Sequence, residues 1–138
     1  MSRVQRRQAR KQHGSPSADT SAALRELFAQ AVRHHAANRL AEAEVFYRRV
    51  LEQDPRHADS LHGLGVVAYQ LGRNSTSREL IGQAIAIDRR VAAYHSNLGN
   101  ALAAEGRLDD AVKAYELAIT LSPRYAEAHN NLGGAFTD

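Results

Sequence analysis

The seven histidines of this chain are the side chains best suited to bind a metal or move a proton near neutral pH. His34 and His35 are adjacent, so on a helix they point roughly 100° apart and do not converge on one ion. His95 and His129 recur at the same early place in two similar segments, which suits packing against a neighbouring helix. His62 falls on a face turned towards a groove. No HExxH pair, phosphate-cradling glycine loop or nucleophile elbow occurs. The paired carboxylates Asp109-Asp110 open a helix, where negative charge complements the dipole. No set of groups meets the geometric rules for catalysis. The sequence therefore predicts no enzyme activity, no metal and no cofactor. With no cysteine, disulfides and thiolate chemistry are excluded.

What does recur on one face is polar and uncharged. The expected binding surface takes Asp59, His62, Val66 and Tyr69 from one segment, Ser96, Asn97 and Asn100 from the next, and Asn130 and Asn131 from the last. Asn97 and Asn131 stand 34 residues apart, a spacing that predicts a short stacked ladder, interrupted at Gly63 and absent at Ala29. An asparagine amide both donates and accepts, so it satisfies a peptide backbone without demanding a particular side chain.

These residues need a scaffold, and the stretch Ala92–Pro123 reads as one. His95, Leu98, Gly99 and Leu102 follow the i, i+3, i+4, i+7 pattern of an amphipathic helix. Gly106-Arg107 ends it, glycine being the usual residue just past a helix end. A second helix carries Ala111, Tyr115, Ala118 and Ile119 and stops at Ser122-Pro123. The turn doubles the backbone back, so the pair packs antiparallel. Leu64-Gly65, Leu98-Gly99 and Leu132-Gly133 repeat this design every 34 residues. Pro55 and Pro123 lie two periods apart, with Arg89 at the middle position. Glycine inside a helix costs about 0.5–1 kcal/mol relative to alanine. The expected compensation at Gly65, Gly99 and Gly133 is close approach between the two helices of a hairpin. Ala43 and Ala111 are the matching small residues. Tyr47, Ile81 and Tyr115 are the large ones filling between successive hairpins. Ser75-Thr76-Ser77 offers capping chemistry to the second helix of its repeat.

A helix–turn–helix of this period, with Leu-Gly in the first helix and Ala, Tyr and Ala in the second, resembles the tetratricopeptide repeat family. The chain lacks the tryptophan that many such repeats carry. The resemblance implies an all-α fold, a right-handed superhelix whose first helices line a concave face that takes an extended peptide. It divides the chain into a tail over 1–20 and a repeat domain over 21–138. Its repeats fall at about 22–57, 58–91 and 92–125, with the first helix of a fourth at 126–138. The rows YHSNLGNAL and AHNNLGGAF further resemble the repeats that precede the catalytic domain in O-linked N-acetylglucosamine transferases and their bacterial relatives. In that family an asparagine ladder holds substrate backbones, and Asn97 and Asn131 match its positions. No glycosyltransferase domain is present in this sequence. The carboxylate clamp of chaperone-tail binders needs Lys or Arg in the groove. The first helices of the second to fourth repeats have none there.

At 138 residues and 43% hydrophobic, there is material for one domain with a modest continuous core. Arg3, Arg6, Arg7, Arg10 and Lys11 precede the first acidic residue, Asp19. The other 13 basic and 15 acidic residues leave −2, so the overall +3 belongs to the tail. Met1–Thr20 has few apolar residues and a Gly-Ser-Pro-Ser run, and is expected to be a disordered basic tail. Its charge would suit nucleic acid or anionic lipid, but it has no aromatics for base stacking. It is read as a solubilising start, and nucleic acid is not an expected partner. No apolar run approaches the roughly 20 residues of a membrane span, and no apolar stretch follows the basic residues as in a secretory signal. A cytoplasmic location and no membrane contact are expected. The primary expectation is a protein-interaction module holding an extended peptide. The alternative is the substrate-recruiting part of a glycosyltransferase. Self-association through the C-terminal end, where Leu132 and Phe136 would meet another copy, is a further option.

Overall fold

The computed structural model describes residues 18–137. They form seven helices: α1 (Ala18–Ala36), α2 (Leu40–Gln53), α3 (Ala58–Gln70), α4 (Asn74–Ile87), α5 (Ala92–Ala104), α6 (Leu108–Leu121) and α7 (Ala126–Thr137). No strand occurs among the described residues. Helices α1/α2, α3/α4 and α5/α6 pair as hairpins, and each hairpin leans on the next. The result is an all-α solenoid. The tail expected to run to Thr20 gives way to helix at Ala18: after Pro16 the run Ala-Asp-Thr-Ser-Ala-Ala contains no breaker. The rest of that expected tail lies outside the described residues.

The same local chemistry closes each hairpin. Asn38, Gly72 and Gly106 take positive φ (60°, 79° and 78°), one period apart, and each is followed by an arginine. The amide N–H groups of Arg39, Arg73 and Arg107 donate to His34, Ala68 and Leu102 oxygens at 2.8, 2.8 and 2.9 Å, the six-to-one bond of a Schellman end. Those arginines are also the N-caps of α2, α4 and α6, with no side-chain capping bond. The expected role of Ser75-Thr76-Ser77 is thereby corrected. The chain turns so tightly after Gly72 that α4 is already helical at Asn74. Ser77 lies inside it, fully buried. Between hairpins, Asp54 and Asp88 accept from the backbone N–H two residues on, at Arg56 and Arg90, an Asx-turn that redirects the chain.

The core runs along the hairpin row. Tyr47 and Leu64 anchor one cluster, Leu61, Ile81 and Tyr94 the next, and Leu102 and Tyr115 the third. Leu51 and Leu80 pack against the first two clusters and Leu98 against the second and third, so they are the joints of a continuous core. These joints are partly buried, so each contributes less than the about 1.5–3 kcal/mol of a fully buried side chain, and stacking of one hairpin on the next supplies part of that burial. A Cβ at Gly65 would fall 2.6 Å from Ile81 Cγ1, and one at Gly99 would overlap the Tyr115 ring. The expected close approach therefore holds at these two positions. Ile81 and Tyr115 thus fill space within their own hairpins. At Gly133 nothing lies within 4 Å of an added Cβ, so that close approach is not made among the described residues.

Candidate functional site

The first helices α1, α3, α5 and α7 are joined by polar bonds between residues 35 apart. His35 donates through Nε2 to Gln70 Oε1 at 2.7 Å. Tyr94 O–H donates to Asp59 Oδ1 at 2.5 Å. Asn97 Nδ2 donates to His62 Nε2 at 2.8 Å, and Asn131 Nδ2 to Ser96 Oγ at 3.3 Å. A step of 34 reaches the equivalent residue of the next repeat. One residue more rotates the side chain about 100° around its helix, which turns it back onto the preceding helix.

His62 lies at the centre, half-buried. Its ring packs against Tyr94 at a 38° tilt, with centroids 4.7 Å apart. Burial pushes its pKa down to about 4, aided by His35 and opposed by Asp59, so the ring is neutral at pH 7. A further run of bonds extends from it: Tyr115 O–H donates to Asn100 Oδ1 at 2.7 Å, and Asn100 Nδ2 to Asn97 Oδ1 at 3.3 Å. Burial raises the Tyr115 phenol to about 12. Burial and then the Asp59 hydrogen bond raise Tyr94 well above the ordinary phenol value. Both phenols are therefore firm donors.

The residues expected to line a groove fall into three groups. Asp59, Tyr69 and Asn130 are exposed, and His62, Val66, Asn97, Asn100 and Asn131 are half-buried, with part of each side chain reachable. Ser96 is fully buried, a correction: it sits between α5 and α7 as the acceptor for Asn131 and offers a partner nothing. Asn97 and Asn131 are not bonded to each other; each amide reaches back one helix. Gly63 interrupts the row because the Tyr47 ring occupies the space its Cβ would need. The early histidines share a role other than the expected packing on a neighbouring helix: buried His95 and exposed His129 each place Nε2 2.9 Å from the backbone oxygen six residues back, Arg89 and Pro123, in the turn before their own helix. No group of three metal-ligating side chains occurs among the described residues.

Two features were not foreseen. Tyr94 holds Asp59 and flanks His62, and its only sequence signal is the 35-residue offset to Asp59. A cleft of about 820 Å³ opens beside that pair, between the Asp54–Asp59 and Ile87–Tyr94 turns. It is lined by Arg56, Arg89 and Arg90 as well as Asp54 and Asp88.

Residues 34–100 match the family model described as tetratricopeptide repeat, and residues 99–137 one described as TPR repeat. A probable UDP-N-acetylglucosamine–peptide N-acetylglucosaminyltransferase SPINDLY of Solanum lycopersicum is 32% identical over 91 residues, 66% of this chain and 10% of that protein. Among solved structures, an O-GlcNAc transferase variant from Thermobaculum terrenum superimposes with TM-score 0.85 at 30% identity, covering 88% of this chain and 23% of that one. The first TPR of Spaghetti (RPAP3), bound to an HSP90 peptide, gives TM-score 0.77 at 22% identity over 83% of this chain and 90% of that one. This chain spans about a tenth of the length of the curated relatives it matches.

Proposed function

Since the chain belongs to the tetratricopeptide repeat family, we propose that it holds an extended segment of a partner protein against the face formed by α3, α5 and α7. The observation that carries this is the row of reachable amides at Asn97, Asn100 and Asn131 on helices that contain no lysine or arginine. An extended main chain presents alternating N–H and C=O groups, and asparagine satisfies either. A row of amides without cations, its carboxylates Asp59 and Glu127 confined to first turns, adds little side-chain selection. A repeat domain of the same fold holding an HSP90 peptide supports the mode, but not that partner. The proposed role is binding, not catalysis, and the proposed compartment is the cytoplasm on the sequence grounds above. No helix among the described residues is long and apolar enough to cross a membrane.

The test is selection of peptides from a random library on the full chain, followed by Asn97→Ala/Asn131→Ala. The reading expects retained helicity and a loss of affinity of about tenfold or more, from two amide contacts. Unchanged affinity counts against it.

A second reading is favoured by the likeness at 30% identity to the O-GlcNAc transferase repeats and by the SPINDLY match. In it the face recruits substrate proteins for a glycosyltransferase domain encoded beyond these repeats. Sequencing the surrounding open reading frame decides it. The unfilled position at Gly133 supports a self-associating α7 face, and light scattering across a dilution series tests that: a monomer at high concentration removes it.

A further inference from the structure

The bonds that run from Tyr115 to His62 have a direction, and the direction decides what the groove offers. A primary amide turned over by 180° exchanges its donor and acceptor, so Asn97 and Asn100 each have two settings. Here Tyr115 O–H donates to Asn100 Oδ1, Asn100 Nδ2 to Asn97 Oδ1, and Asn97 Nδ2 to His62 Nε2. The last bond requires a lone pair on Nε2, which places the His62 proton on Nδ1. Both ends are fixed by packing. The Tyr115 ring is clamped in the space left by Gly99, and the His62 ring packs at a 38° tilt against Tyr94.

We propose that Tyr115 and His62 are positioning residues, which lock the amides of Asn100 and Asn97 so that each keeps one N–H and one oxygen lone pair for a partner's main chain. This rests on the peptide-holding reading above. Each asparagine uses one N–H and one lone pair inside the relay, and the half-exposed remainder matches the one donor and one acceptor of a peptide unit. Removing either end of the relay frees the amides to turn, so binding weakens although both asparagines remain.

The experiment uses the full 15N-labelled chain and, as probe, the tightest uncharged twelve-residue peptide selected from the library. In the free wild-type protein, ring 15N spectra are expected to show His62 as the Nδ1–H tautomer, with the Asn97 and Asn100 side-chain amide protons slow to exchange. Tyr115→Phe keeps the ring against Gly99 and is expected to leave helicity intact. It should speed that exchange, mix the His62 tautomers and weaken the peptide about tenfold, the worth of one or two hydrogen bonds. Combined with Asn97→Ala it should cost little more than Asn97→Ala alone, since both break one relay. An Nε2–H tautomer in the wild type, or additive losses in the double variant, overturns the relay. If the peptide binds and Tyr115→Phe changes neither affinity nor tautomer, the relay falls and the peptide-holding reading stands. If no library peptide binds, both fall.

Discussion

The phenol ring of Tyr47 lies where a side chain at Gly63 would begin, so the two residues, from different hairpins, form one packing unit. With His35 Nε2 donating to Gln70, the Tyr47 O–H donates to the Nδ1 of the neutral ring at 2.9 Å. Gly63 therefore interrupts the amide row for a reason of space, and the proposed binding face changes character there. Of the residues proposed to line the binding face, those on α3 beyond Gly63 are half-buried Val66 and exposed Tyr69. On the α5 and α7 side the face presents amides.

Gly63→Asn would restore the amide period by sequence but collide with Tyr47. Overpacking of this kind costs about 1–3 kcal/mol. Urea denaturation of the single variant is expected to show that loss, and pairing it with Tyr47→Val to recover part of it. A neutral single substitution would mean the ring moves freely aside.

Stability should fall on acidification through the range set by His62. The folded pKa is lowered to about 4 by burial, below the ordinary 6.5. Between these values the unfolded chain binds the proton that the folded chain refuses. Stability is thus full above about pH 6.5, declines as pH falls towards 4 and loses nothing further from this group below that. The loss is on the order of 3 kcal/mol. His62→Gln should flatten the slope of urea midpoints over that range; an unchanged slope assigns the acid sensitivity to groups other than His62.

At the alkaline end the sign reverses. Tyr47 and Tyr115 are raised to about 12, by burial first, so stability is full below the ordinary phenol value near 10 and is lost as pH climbs towards 12. Ultraviolet titration should show these phenolates forming late and together with unfolding. Early, non-cooperative ionisation would contradict their burial.

Leu98 is half-buried but joins two core clusters. Leu98→Ala is expected to cost about 2–4 kcal/mol. A loss below half a unit in equilibrium unfolding would show that the second and third hairpins do not depend on this joint.

The hairpins were legible in the sequence because period, turn glycines and apolar spacing are all local signals. The large Tyr115 and the small Gly99 were each legible as repeating positions, but Tyr115 was expected between successive hairpins and instead fills the space at Gly99 within its own. The polar staples were less legible. Sequence comparison aligns residues 34 apart, whereas Tyr94–Asp59 and Asn97–His62 bond at 35, after the extra rotation that faces one helix towards another. Ser96 was misplaced for the same reason: a small polar residue on the groove side of a helical wheel is buried once the next helix covers it. The hydroxyls of Ser75, Thr76 and Ser77 looked like caps because their chemistry suits one. The tight turn at Gly72 had already begun the helix.

The central claim is that the amides of α5 and α7 take hold of another protein's main chain. It is tested most directly by titrating the library-selected peptide into the 15N-labelled chain and following side-chain amide resonances. Shifts concentrated at Asn97, Asn100 and Asn131 are predicted. Shifts confined to the outer helices α2, α4 and α6, with those three amides unmoved, would contradict it.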